Sequence, residues 1–323
     1  MLNVYLTVDS ELSPTNFRRG MSLQDDMDVS FYGRTSRGSF GVPYQMDILD
    51  EHGLKGMFFV EALFASCVGL EPLREMVGVI RDRGHDVQLH IHPEWLPATA
   101  PRLLPGRSGL NMHCFSEDEQ VALIRQGRDN LRAAGVSKVS AFRAGNMGAD
   151  PATLRALART GIACDSSYFA PYLQSHCRLA SLGDICQPVS SQGILELPVT
   201  SFQDFPGHFR PLQLCACSSS EMEYCLWEAV RLGWQSVVVL WHSFELIKRP
   251  DSKRRAATPA HVVIQRFERL CRFLSRHSDE FQSTTLAQPA PIPRPVANSQ
   301  PILKSSLWRT AWRMAEQAAG AVV

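Results

Sequence analysis

Gly84-His85-Asp86-Val87-Gln88-Leu89-His90-Ile91-His92-Pro93-Glu94-Trp95 reads, in that order, as a helix stop, a short strand and a polar mouth. Gly84 closes the helical spacing before it, as a residue free to turn left-handed does. Val87, Leu89 and Ile91 alternate with Gln88, His90 and His92, the period of two that marks a strand. On such a strand His90 and His92 face one side, and Pro93 ends the ladder because it has no N–H to give. Two imidazoles on one face at a strand end, with the Glu94 carboxylate and Trp95 just beyond, make half of a candidate metal site. The competing reading is a polar strand face that carries two histidines by chance, so the rest of the chain must decide.

Working outward, the same alternation of elements repeats. Residues 3–9 form a first strand ending in Asp9-Ser10-Glu11. Pro43 to His52 has helical spacing and Gly53 ends it; Leu54 to Val60 is an apolar run of the buried parallel kind. Residues 70–83 form a helix with Pro72 in its first turn. Past the histidines, Ser116-Glu117-Asp118-Glu119 is a capping box opening a helix to about Ala134. Strands follow at 139–142, 162–164, 194–197 and 236–240, separated by helices at 152–159 and about 219–232; the signature at Ser220-Glu221-Met222-Glu223 marks a cap. Thr258-Pro259 is expected to cap a last long helix to about Arg276. About seven strand–helix alternations predict an α/β protein with a parallel sheet and right-handed crossovers, closed or nearly closed into a barrel of parallel strands with outer helices. Residues 12–38 and 96–115 read as long loops.

The totals agree with that class. The chain has 323 residues, and a single α/β barrel of roughly 200 to 250 residues is routine. Apolar residues make up 45%, enough for a sizeable core, and a net charge of +1 gives no general attraction to nucleic acid. Glycine-rich dinucleotide and P-loop fingerprints are absent. Nine cysteines with no Cys-x-x-Cys, no signal-like start and no long apolar run predict a cytoplasmic protein with free thiols. Cys215 and Cys217 read as core-facing strand residues. Three regions are expected: a barrel over 1–285, a proline-rich linker over 286–302, and an amphipathic helix within 303–323. That helix carries Trp308 and Trp312 at i,i+4 beside Lys304, Arg309 and Arg313. It fits peripheral contact with the inner membrane face, or docking on the chain's own barrel or a second subunit.

In parallel α/β barrels the chemistry collects at the carboxyl ends of the strands. Here those ends carry Asp9 and Glu11, His90 and His92, Arg143, Asp165 and His242. Two imidazoles and a carboxylate with a position left open form the ligand set of a hydrolytic metal site. A second carboxylate can take a proton from water, His242 can return one to a leaving group, and Arg143 can hold a carboxylate ionised.

These residues also carry a resemblance. Thr7-Val8-Asp9-Ser10-Glu11, the Ile48–Val60 segment with its Phe58-Phe59 pair, Gly84 to His92, Phe142-Arg143-Ala144-Gly145, Cys164-Asp165-Ser166-Ser167-Tyr168 and Leu240-Trp241-His242 fall in the order of the polysaccharide deacetylases, carbohydrate esterase family 4. The resemblance covers about residues 3–245. It implies a distorted (β/α)7 barrel that removes acetyl groups from sugars with a divalent metal, zinc first among them. It implies Asp9 as general base, Glu11, His90 and His92 as metal ligands, Arg143 as the residue that positions Asp9, and His242 as general acid.

Three motifs depart from the family pattern. The first usually has a second aspartate where this chain has Ser10; strand alternation favours Glu11, on the Asp9 face, as its substitute. The histidines are usually four apart, and the place four after His90 is Glu94; His92 is favoured on geometry and Glu94 stays open as a ligand. Gly145 stands where a proline is usual. Trp95, Asp165 and Tyr168 are candidate substrate-binding residues, and His85 is expected to be structural. The expected function is removal of acetyl from a sugar in exopolysaccharide or lipopolysaccharide synthesis, the partner being an acetylated sugar, nucleotide sugar or lipid-linked glycan. The alternatives are hydrolysis of another C–N bond, such as a cyclic amide, and a glycan-binding barrel without catalysis.

Overall fold

The computed structural model describes residues 1–99, 103–173, 175–249, 256–286 and 301–322, with side chains to Ala318. Its elements are β1 (Leu2–Ser10), α1 (Val42–Glu51), β2 (Gly56–Glu61), α2 (Glu71–Arg81), β3 (Asp86–Ile91), α3 (Glu117–Ala133), β4 (Ala141–Ala144), α4 (Pro151–Thr160), β5 (Cys164–Asp165), β6 (Val189–Ser191), β7 (Ile194–Glu196), β8 (Ser201–Phe205), β9 (His208–Pro211), α5 (Ser219–Arg231), β10 (Ser236–His242), α6 (His261–Arg276), β11 (Phe281–Ser283), β12 (Leu303–Lys304) and α7 (Leu307–Val322).

The main sheet runs β10-β1-β2-β3-β4-β5-β7-β6. Its first seven strands are parallel, and β6 returns antiparallel on β7. No ladder joins β7 to β10. The segment that follows β7 bridges them instead: Thr200 N–H donates to Val238 (3.2 Å), Leu240 N–H to Leu212 (3.1 Å) and Leu214 N–H to Leu240 (3.3 Å). The sheet therefore curls into a distorted (β/α)7 barrel with one irregular side.

Strand parity sorts the side chains. Tyr5, Met57, Phe59, Val238 and Leu240 fill the barrel, while Val4, Leu6, Phe58, Val60, Val87, Leu89 and Ile91 pack outward under the helices. The helices form for the expected reasons. Leu73, Met76, Val77 and Ile80 give α2 a buried stripe at helical spacing. Ser116 and Glu119 close a reciprocal cap on α3. Asp150 and Pro151 open α4, and Gly161, at φ 75°, ends it.

Several boundaries differ from the sequence reading. The cap of α5 is Ser218 with Glu221, two residues before Ser220. Thr258-Pro259 pairs with Ile247–Lys248 and does not cap α6, which starts at His261. Strands β4 and β5 begin two residues late, so Arg143 lies inside its strand. Cys215 and Cys217 lie outside the strands, and Cys215 is exposed. Residues 12–38 are not a loop. They hold helical turns at Pro14–Arg18, Leu23–Asp26 and Met27–Phe31 and a hairpin of Arg34–Thr35 with Gly38–Ser39. Their organiser is the buried Asp26 carboxylate, which accepts from Ser13 N–H (2.7 Å), Asn16 Nδ2 (2.9 Å) and Ser30 Oγ (2.8 Å). Such polar tethering has no apolar period to read. Most of the proline-rich linker lies outside the described residues. Beyond it, β12 pairs with β8 and α7 packs on the barrel.

Candidate metal centre and active site

Inward parity brings Asp9, His90, Arg143 and His242 to the carboxyl end of the barrel, and Glu11 and His92 continue the same faces just past β1 and β3. Glu11, His90 and His92 each offer a donor atom, all within 4.8 Å of one another. His92 Nε2 lies 2.6 Å and His90 Nε2 3.3 Å from the same Glu11 oxygen, Oε2. The other ring nitrogens are engaged: His90 Nδ1 lies 2.8 Å from the Arg143 carbonyl, and His92 Nδ1 lies 3.0 Å from Glu94 Oε2. Those acceptors require Nδ1 to carry the proton, which leaves each neutral ring an Nε2 lone pair aimed at a carboxylate. Three lone-pair bearers facing one another repel unless a positive charge sits among them. Glu11 Oε2 is buried and has no hydrogen-bond donor, so the residues present fit a divalent cation.

Electrostatics point the same way. Burial disfavours the Glu11 charge, yet His92 and His90 hold the carboxyl well below its ordinary range. Burial likewise disfavours a charged His92, but Glu11 and Glu94 lift it well above the usual imidazole value. Glu94, open as a ligand from sequence, sits on the far side of His92 and orients the ring.

Next to this cluster, Asp9 is gripped by a wholly buried arginine. Arg143 Nη1 donates to Asp9 Oδ1 (2.6 Å), Nη2 to Thr7 Oγ1 (3.1 Å) and Ser166 Oγ (3.0 Å), and Nε to the Ser166 carbonyl (3.0 Å). Its guanidinium also lies 4.2 Å from the Phe59 ring centre. Asp9 is thus fixed in place by a guanidinium whose three nitrogens all donate. His242, beside Asp9 in register, places Nδ1 2.8 Å from Glu245 Oε1. Burial opposes its charge, but Glu245, with Glu11 and Asp9 nearby, raises the imidazole to about 9. It is a proton donor at neutral pH.

Asp9, Glu11, His90, His92 and His242 line a cavity of about 160 Å³, walled further by Asn146, Met147, Phe169, Tyr172, Gln213 and Leu240. A second cavity of about 190 Å³ meets it at Glu11, His92 and Asn146. Ser10, on the opposite strand face, lines neither. Asn146 and Met147 both take left-handed backbone (φ 56° and 55°), a strained choice for side-chain-bearing residues and one often found at working sites.

The three predicted substrate contacts are corrected. Trp95 is 1% exposed and packs against Phe17 and Phe64, so no ring face is free for a sugar. Tyr168 is buried with its hydroxyl on the Gly183 carbonyl (2.8 Å). Asp165 is buried, accepts from Ser167 Oγ (2.6 Å) and pairs with Glu196, away from both cavities. His85 is structural, accepting from Gly56 N–H (3.1 Å). Sequence reasoning passed over Glu245, Gln213, Phe169, Tyr172 and Glu61. Glu61 accepts from the backbone of Leu63, Phe64 and His92, and burial raises its carboxyl to about 7. Only Glu245, three past His242 in a turn, stands at a spacing that sequence reading can pair with it.

The sequence matches no family model and no curated protein. Among solved structures, a Mycobacterium smegmatis protein provisionally described as a polysaccharide deacetylase is 19% identical, with a TM-score of 0.51 over 90% of this chain and 94% of the other. A 4-α-glucanotransferase from Thermococcus litoralis gives 11% and 0.50 over 88% of this chain and 39% of the other. A family 4 carbohydrate esterase from Streptomyces lividans, solved with acetate, gives 12% and 0.43 over 88% and 92%. The chain has the distorted barrel fold of the polysaccharide deacetylases. A transferase shares that barrel, so the reaction must be argued from the site.

Proposed function

We propose that this chain is a divergent carbohydrate esterase family 4 enzyme, a metal-dependent hydrolase that removes an acetyl group from an acetylated sugar. One observation carries the reading: both histidines of the Glu11–His90–His92 cluster have Nδ1 tied down and Nε2 turned to one carboxylate, beside a clamped base and a charged acid. A divalent ion held by Glu11, His90 and His92 would acidify a water and polarise the acetyl carbonyl. Asp9 takes the proton of the attacking water, and Arg143 keeps it aimed. The water oxygen bonds to the carbonyl carbon. His242 Nε2 then gives its proton to the departing nitrogen or oxygen as the C–N or C–O bond breaks, leaving acetate and the free sugar. Each proton transfer is worth about 10²–10⁴-fold. The pathway, glycan assembly on a nucleotide sugar or lipid-linked intermediate, is part of the proposal and rests on the sequence reading alone.

The test is metal analysis combined with acetate release from N- and O-acetylated sugars. The purified chain is expected to hold about one divalent ion per molecule and to release acetate. Asp9→Asn should keep the ion and lose turnover by at least about a hundredfold. Ion bound but no acetate from any sugar would favour a binding barrel or another C–N substrate. Loss of the ion in Asp9→Asn would reverse the roles of Asp9 and Glu11.

A further inference from the structure

We propose that α7 is a membrane-surface anchor that lays its outward face into the headgroup region of a bilayer carrying anionic lipid. At about 100° per residue, Leu307, Trp308, Ala311, Trp312, Met314 and Ala315 share one uncharged arc of about 160°. That arc faces out: Leu307 is 66%, Trp308 76%, Trp312 56% and Met314 61% exposed. The polar arc faces in. Arg313, 2% exposed, donates to Asp204 Oδ2 (2.8 Å) and to Glu221 (3.1 Å). Thr310 Oγ1 donates to the Asp204 carbonyl (3.0 Å), Arg309 stacks 4.0 Å over the Tyr224 ring, and Glu316 pairs with Arg266. The helix is thus inverted relative to an ordinary surface helix. Rolling it to hide its tryptophans would strip Glu221 and Asp204 of a buried cation, so the orientation is enforced by charge.

The chemistry of the exposed face selects its occupant. Trp at i,i+4 on an uncharged arc suits the boundary between headgroup and acyl chain, where the indole N–H stays wet and the ring does not. Lys304, exposed just before the helix, supplies a cation for lipid phosphates. The four large side chains expose on the order of 500–600 Å², short of the ~800 Å² per partner of a stable protein interface. Among the described residues no helix is long and apolar enough to cross a membrane, so α7 lies on a bilayer and does not span it. This inference stands apart from the catalytic reading and uses none of its residues.

The experiment is flotation of the full chain with vesicles of phosphatidylglycerol and phosphatidylcholine, and with phosphatidylcholine alone, next to light scattering of the lipid-free chain. Binding to the anionic vesicles is expected, with a blue shift of Trp emission. Trp308→Ser/Trp312→Ser should bind about tenfold or more weakly, with an unchanged thermal melt that rules out misfolding. Three outcomes would overturn the proposal: no flotation with either vesicle, flotation unaltered by the double substitution, or a dimer that the substitution dissolves, which would assign the face to a second copy.

Discussion

Gly145 and His92 fit closely against one another. A Cβ at residue 145 would lie 2.7 Å from His92 Cγ and Nδ1. Any side chain at residue 145 would displace the His92 ring, so the ring's position requires glycine there. Gly145→Ala should push the ring aside and weaken metal binding by about 10–100-fold, readable by titration with a chromophoric chelator. Which residues gather was legible because strand parity is a strict rule: residues 9, 11, 90 and 92 follow from it. Glu245 and Glu94 were not assigned their places, because turns set them and turns have no period. Glu245→Gln tests the first. The His242 imidazole, held near 9 against burial by that carboxylate, donates below that pH and fails above it. The alkaline limb of activity should therefore sit near or below 9, since a cation on Glu11 offsets one raising charge, and Glu245→Gln should move it lower still. Stability follows the same sign: the raised imidazole contributes fully below its unfolded value of 6.5 and nothing above about 9. Asp165 and Glu196 form the opposite case. Burial first, and each other's charge, raise the Glu196 carboxyl well above the usual range. Asp165→Asn removes one of the two buried carboxyls, so it should leave activity within about twofold and cost little stability, as an amide needs no charge buried.

At the scale of elements, the repeating strands and helices were legible from apolar spacing and caps, and most ends moved by one residue or less, a few by two. The segment 12–38 was illegible because Asp26 organises it through hydrogen bonds that a periodicity search does not see. The last helix was visible as amphipathic, yet its orientation was not, since which arc docks depends on Asp204 and Glu221 far away in sequence. Arg313→Ala leaves those two buried carboxylates short of a partner and should cost about 3 kcal/mol in a denaturant melt. Arg210 and His208, which also reach Asp204, limit the loss.

At the scale of the whole molecule, seven strand–helix alternations sufficed to give the barrel, but not the manner of its closing. Removal of the metal should lower the melting temperature, because a ligand bound to the folded chain alone stabilises it by about 4 kcal/mol at a thousandfold excess over Kd. Proton release on rebinding, measured in weakly buffered solution, should accompany it, since His92 must give up the proton that Glu11 holds there. The irregular side between β7 and β10 has a mechanical consequence. Six of the seven gaps between the staves are closed by continuous ladders and keep their spacing. The seventh gap is held by a strap, residues 200–214, and the strap is riveted from outside: β12 joins Phe202, Arg313 pins Asp204, and Arg266 reaches the Leu214 carbonyl. Gln213, on that strap, borders the cavity lined by Asp9, Glu11 and His242 and donates to Glu245. Fluctuation at the tail is expected to reach this wall of the cleft: deletion of residues 303–323 should speed amide exchange at 212–214 and 238–240 while leaving β2 and β3 as slow as before.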